Sequence, residues 1–170
     1  MFPSLVKEMS YERKTVRVLP LSDQFQNPEL VYTPGGLDKF LVGLATQPSQ
    51  KFDNIVTEEV TNHLFQGKDK LFGMDLVSLN LQRGRDHGLQ GYTAFRELCG
   101  FGATKTFADL ADLIPMKIVE RLMLIYDDVE DVDLFIGGIS EAAAEGSLVG
   151  PTFRCLVGDQ FKRLQHGDRW

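Results

Sequence analysis

The sequence predicts an all-α chain with a long irregular N-terminal segment. Three observations carry that expectation. Apolar residues recur at three- and four-residue intervals, alternating runs long enough for a strand are few, and prolines and glycines stand where helices start and stop. Of 170 residues, 43% are hydrophobic and 25% charged, which is ordinary globular composition and excludes disordered and low-complexity architectures. The length suits one domain.

Taken in order, Tyr11 to Pro34 has irregular spacing with Pro20, Asn27, Pro28 and Pro34, and reads as extended loop with short turns. Gly36 to Leu44 is expected to form a short helix through Leu37, Phe40, Leu41 and Leu44 that stops before Pro48. Thr57 to Phe65 is expected to form another, with Val60 and Leu64 four apart. A third runs from Asp75 to Gly88. Thr106 and Asp109 have the spacing of an N-terminal capping box, and Leu110, Leu113 and Ile114 follow before Pro115 ends that turn. Pro115 then opens a helix whose buried stripe is Ile118, Val119, Leu122, Met123 and Tyr126, with the acidic run Asp127 to Asp133 marking its exit into solvent. The last helix has Pro151 in its first turn, Phe153, Val157, Phe161 and Leu164 at helical spacing, and Gly167 beyond its end. No internal repeat, flexible linker or domain boundary is visible.

Charge and motifs exclude several function classes. Asp plus Glu number 24 against 18 Lys plus Arg, a net charge of -6, so the basic footprint of a nucleic-acid binder is absent. The longest apolar stretches, such as Leu122 to Tyr126, fall far short of the roughly 20 residues that cross a bilayer. The opening MFPSLVKEMS has no export signal pattern, and no glycosylation sequon occurs. The GxG of Gly100 and Gly102 has Lys105 where a dinucleotide loop needs a third glycine. Asp127, Asp128, Glu130, Asp131 and Asp133 fit no frame of a calcium loop and read as a solvated acidic run. There is no GxSxG elbow, and His63, His87 and His166 lie far apart, so a hydrolase triad has no support. Cys99 and Cys155 lack zinc-ligand spacing; they read either as two buried thiols or as one bridge, which would stabilise the fold by roughly 4 kcal/mol on the chain-entropy account.

The segment Asp75 to Gly88, DLVSLNLQRGRDHG, carries the chemistry. As a helix it sets Leu76, Leu79, Asn80 and Arg83 on one face, because offsets of three, four and seven return close to the same direction. A core helix rarely gives two of four facing positions to polar groups, since burying each without a partner costs about 1 to 3 kcal/mol. A flat ligand with an apolar body and an anionic edge suits them, and haem has that shape: the leucines cover its face, Arg83 forks onto a carboxylate, and Asn80 accepts from a nearby N–H donor. The competing reading is a salt-bridge network of Arg83, Arg85 and Asp86.

The runs SLNLQRGRDHGLQGYTAFRELCG, LFIGGISE and GPTFRCLVGDQFKRLQHGDRW resemble, in that order, the C-terminal part of animal haem peroxidases of the peroxidase-cyclooxygenase superfamily. The likeness covers nearly the whole chain and is closest to the invertebrate chorion peroxidases and peroxinectins, where runs similar to TEEVTNHLF and GMDLVSLN also occur. It implies the C-terminal helical portion of that fold, with residues 1–170 one partial domain. It implies that Asn80 accepts the N–H of a proximal histidine, orienting the imidazole, that Arg83 pairs with a haem propionate, and that Leu76, Leu79 and Phe65 are apolar walls of the haem cavity. It also implies that Cys99 and Cys155 are joined in a disulfide, with secretion or another oxidising compartment as the setting.

In the family the proximal histidine stands in a motif like FRxGH shortly before the position matched by Pro3 and Ser4. That histidine, the distal histidine and arginine that cleave peroxide, and the calcium loop are expected outside this stretch, so calcium belongs to the parent. The family usually continues past HGDR, and Gln90 replaces a frequent proline. His87 lies seven residues after Asn80, about 10 Å along a helix, too far for a replacement ligand. His63 and His166 are weaker candidates still. The resemblance implies reduction of hydrogen peroxide with oxidation of a small-molecule electron donor by the complete enzyme, and an isolated chain with little or no activity. The alternative is a non-enzymatic adhesion or matrix-interaction protein. Either way, the leucine face predicts an exposed apolar patch and self-association.

Overall fold

A helical chain with one small β-hairpin results. The computed structural model describes residues 4–167; the readings that touch Pro3 and the closing Asp168 to Trp170 lie outside the described residues. Two compact units form, one from residues up to Lys51 with Ile55–Leu79, the other from Phe52–Asn54 with Asn80 onward.

In the first unit, β1 (Leu5–Met9) pairs antiparallel with β2 (Thr15–Pro20) in the register Leu5↔Pro20 to Met9↔Thr15, with a bulge between Glu8 and Met9. Arg17 Nη2 donates to the Glu8 carboxylate across the pair at 2.6 Å. The hairpin, a 3-10 turn at Ser22–Gln24 and α1 (Glu29–Tyr32) replace much of the loop expected over Tyr11 to Pro34. The first four residues of β2 are all exposed, so no buried face was there to impose a readable alternation; ladder hydrogen bonds hold the strand instead.

Helix α2 (Gly36–Thr46) matches the expected helix and runs two residues further, and the Gln47 amide ties its end to β1 through Leu5 O and Lys7 N, at 2.7 and 3.2 Å. The helix expected over Thr57 to Phe65 shrinks to α3 (Glu58–Thr61), capped by Thr57. The chain leaves it because Leu64 pairs with Met74 in an isolated bridge and the Gly73 N–H reaches Asn62 O, which draws residues 62–65 out of helical register.

Helix α4 (Leu76–Asp86) passes from the first unit into the second. There α5 (Tyr92–Leu98), a 3-10 turn (Phe107–Asp112), α6 (Met116–Leu122), a 3-10 turn (Val129–Asp131) and α7 (Leu134–Ser140) surround a core of Tyr92, Leu110, Ile114, Val119, Leu122, Val129 and Val132. The capping box forms as expected, Asp109 Oδ2 accepting the Thr106 N–H at 2.8 Å. Helix α6 is shorter than its stripe predicted, and Met123, expected in the core, is 56% exposed.

Helix α8 (Pro151–Gly167) starts at Pro151 as predicted but takes in Gly167, expected beyond its end, and its stripe is mostly unburied: Val157, Phe161 and Leu164 lie open to solvent. Periodicity reports which residues share a face, and it is silent on whether anything covers that face. Cys99 and Cys155 form a disulfide with Cα atoms 6.1 Å apart, joining the end of α5 to α8. Beside it the buried Glu141 carboxylate accepts from Tyr92 OH at 2.6 Å, from Thr152 N at 2.9 Å and from the Thr152 hydroxyl. Among the described residues no helix is long and apolar enough to cross a membrane.

Candidate functional site

Helix α4 is built by its ends. Asp75 caps it, Oδ1 accepting Val77 N at 2.8 Å and Oδ2 the Ser78 hydroxyl at 2.8 Å, and this negative charge sits at the positive end of the helix dipole. At the other end Leu89 N bonds Gly84 O and Gly88 N bonds Arg85 O, a Schellman closure in which Gly88 takes φ +64° at no steric cost. Arg83 and Arg85 occupy the last turn, where cations favour the dipole. The helix buries no side chain fully.

Within the second unit, Asn80, Leu81, Arg83, Gly84 and His87 form one wall of an open groove of about 510 Å³. Leu134 and Phe135 of α7 and Phe153 of α8 supply much of its apolar lining. Phe153 reaches this position because residue 138 is glycine; a Cβ there would overlap the Phe153 ring. Asn80 is half-buried and Arg83 exposed. Neither the Asn80 amide nor the Arg83 guanidinium has a hydrogen-bond or ion-pair partner among the described residues.

Arg85 behaves differently. Its Nε and Nη2 grip Asp133 Oδ1 and Oδ2 at 2.9 and 2.7 Å, and Tyr126 OH donates to the same Oδ2 at 2.8 Å. The Arg85 guanidinium holds the Asp133 carboxyl below the usual carboxylate range, while burial and then the bond to Asp133 push the Tyr126 phenol up to about 12. The salt-bridge network expected among Arg83, Arg85 and Asp86 does not form: Arg85 pairs with the distant Asp133 instead, and Arg83 gains no ion-pair partner among the described residues. Asp133 lies 48 residues from Arg85, a separation that no local spacing rule spans.

Of the predicted site residues, the structure brings Asn80 and Arg83 together on the groove. Leu76, Leu79 and Phe65 are not among its lining residues. Leu76 is half-buried and Leu79 is 38% exposed. Phe65 has φ +51°, is exposed, and packs edge-on against Phe25 with ring centroids 5.4 Å apart. Leu81, Leu134, Phe135 and Phe153 were not read as site residues. Phe153 was visible only as one member of a stripe, and which way its ring turns depends on Gly138.

An unpaired guanidinium and an unpaired amide above an apolar lining suit a flat apolar acid. The model of the family described as animal haem peroxidase matches residues 1–170. The chain belongs to the animal haem peroxidase family. It is 37% identical over 155 residues to the peroxidasin homolog pxn-2 of Caenorhabditis elegans, covering 89% of this chain and 12% of that protein. It is also 37% identical over 153 residues to the chorion peroxidase of Drosophila melanogaster, covering 90% of this chain and 18% of that one. Peroxidase A of Dictyostelium discoideum superposes with a TM-score of 0.85 and 32% identity over 98% of this chain and 32% of its own. This haem peroxidase chain thus spans between about an eighth and a third of those relatives' lengths.

The family implies haem, and the residues present fit its organic rim, with an apolar lining for a ring face and an unpartnered guanidinium for a carboxylate. Among the described residues no group of three or more His, Cys, Asp or Glu side chains is arranged to hold a metal ion.

Proposed function

We propose that these residues supply the haem-facing wall of a peroxidase that reduces hydrogen peroxide while oxidising a small-molecule donor. The observation that carries the reading is the pairing of two unpartnered polar side chains, Asn80 and Arg83, on the wall of a largely apolar groove. Bound there, haem supplies the redox chemistry. Arg83 holds a propionate by charge-assisted bonds. The Asn80 side-chain oxygen would accept an N–H from a histidine that holds the haem, fixing that imidazole's orientation and increasing its basicity. Neither an amide nor a guanidinium takes a proton from peroxide at neutral pH, so Asn80 and Arg83 bind and orient and do not activate peroxide. The Cys99–Cys155 disulfide supports residence in an oxidising, extracellular setting.

The test uses the complete enzyme. Arg83→Ala is expected to lower haem retention about tenfold or more, read as loss of the Soret band on dilution. Retention equal to the parent would overturn the reading. The 170-residue chain mixed with haemin is expected to oxidise guaiacol at the rate of free haemin.

A further inference from the structure

Helix α4 reaches the groove without a buried anchor of its own, so something else must set the direction in which Asn80 and Arg83 point. The grip of Arg85 on Asp133 meets that need. Both carboxylate oxygens are engaged, which fixes an angle as well as a distance. The Asp133 carboxylate is itself immobilised: its side chain is 13% exposed, Tyr126 OH holds Oδ2, Gly137 N donates to its backbone oxygen at 2.9 Å, and its backbone bridges Gly91. Arg85 is adjacent to Gly84 and two residues after Arg83, so a rotation of α4 that freed Arg85 would carry Arg83 and Asn80 around the axis with it.

We propose that Asp133 is a positioning residue which, through Arg85, keeps the Asn80–Asp86 part of α4 turned so that Arg83 meets an anionic ligand in the groove. The inference rests on the groove reading given under Proposed function. It adds that Asp133, which lines the same groove but whose carboxylate is already engaged by Arg85 and Tyr126, controls how well a ligand carboxylate is bound by Arg83.

Two probes separate positioning from mere stability. Protoporphyrin IX carries two free carboxylates, and its dimethyl ester carries none. With the 170-residue chain, Arg83→Ala is expected to weaken the diacid about tenfold and to leave the ester within about twofold. Asp133→Asn is expected to weaken the diacid about fivefold, again sparing the ester. Adding Asp133→Asn to Arg83→Ala is expected to cost little more, since both act through one contact. Asp133→Glu, which restores a carboxylate, is expected to recover part of the loss. If Arg83→Ala leaves diacid binding unchanged, the groove reading itself fails. If Arg83→Ala weakens the diacid and Asp133→Asn does not, only the positioning inference fails. Equal loss of both probes in Asp133→Asn also overturns it, because Asp133 would then only support the fold.

Discussion

Arg96 on α5 and Arg83 on α4 belong to one unit of the molecule and meet opposite fates. Arg96 is 3% exposed, and its guanidinium is matched at every turn but one: Nη1 and Nη2 hold both oxygens of Asp112 at 2.6 Å, and Nη2 also reaches Phe101 O at 3.1 Å, leaving Nε without a partner. Arg83 has an open groove in front of it and no partner among the described residues. Around α5 the same contrast repeats, for Glu141 is buried with three donors satisfied on one carboxylate. Polar groups near α5 are used up in holding the fold; on α4 Ser78 and Arg85 are engaged too, while Asn80 and Arg83 are not. That an amide and a guanidinium stay unpartnered beside a fold that pairs most of its buried ions is what supports the proposal that they serve a ligand.

The largest effect that sharpens this contrast is expected at the disulfide. Cys99 and Cys155 are separated by 56 residues, and a loop of that size gives about 4 kcal/mol of stabilisation on the chain-entropy account. Urea unfolding with and without reductant is expected to show a loss of that order centred on the α5–α8 joint. A midpoint that reductant leaves unmoved would mean that Glu141 and the core hold the joint unaided.

A smaller effect follows from pH. Arg96 holds the Asp112 carboxyl below its usual range, and Arg85 does the same for Asp133. A carboxylate whose folded pKa is depressed contributes stability that is fully present above its unfolded value, about 4, and lost as pH falls through the lower folded value. The melting temperature is therefore expected to hold on the neutral side of about pH 5 and to decline below pH 4. Asp112→Asn is expected to shallow that decline. An acid limb identical in the variant would show that Asp112, half open to water, is screened into irrelevance.

The same division explains what the sequence makes legible. Helix α4 was legible because Asp75 and Gly88 punctuate it, and its mixed stripe was legible because Asn80 and Arg83 recur at helical offsets beside leucines. Helix α8 was legible from Pro151 and its spacing, although the burial of its stripe was not. Helix α5 was legible only as an unbounded helix before Gly100, and α7 escaped because in LFIGGIS two glycines occupy positions where a stripe would show side chains. The hairpin escaped because most of β2 is exposed. Partners distant in sequence, Arg85 with Asp133 and Tyr92 with Glu141, escaped for a different reason: a local pattern holds no record of which loop will return to which helix.

The smallest expected effect is the one that tests the contrast most directly. If Arg83 contributes nothing to folding, Arg83→Ala must leave unfolding stability within about 0.5 kcal/mol, the range of surface substitutions away from structural features. Arg96→Ala strands a partly buried carboxylate and empties a buried site, so it is expected to cost about 2 kcal/mol. The two substitutions remove the same atoms from neighbouring helices, which cancels differences in side-chain chemistry and leaves only the environment. Equal losses would mean that Arg83 has a structural partner, and the groove would lose its claim to a reserved cation. A large loss at Arg96 beside none at Arg83, measured in the same urea titration, is the outcome that a wall built for a ligand requires.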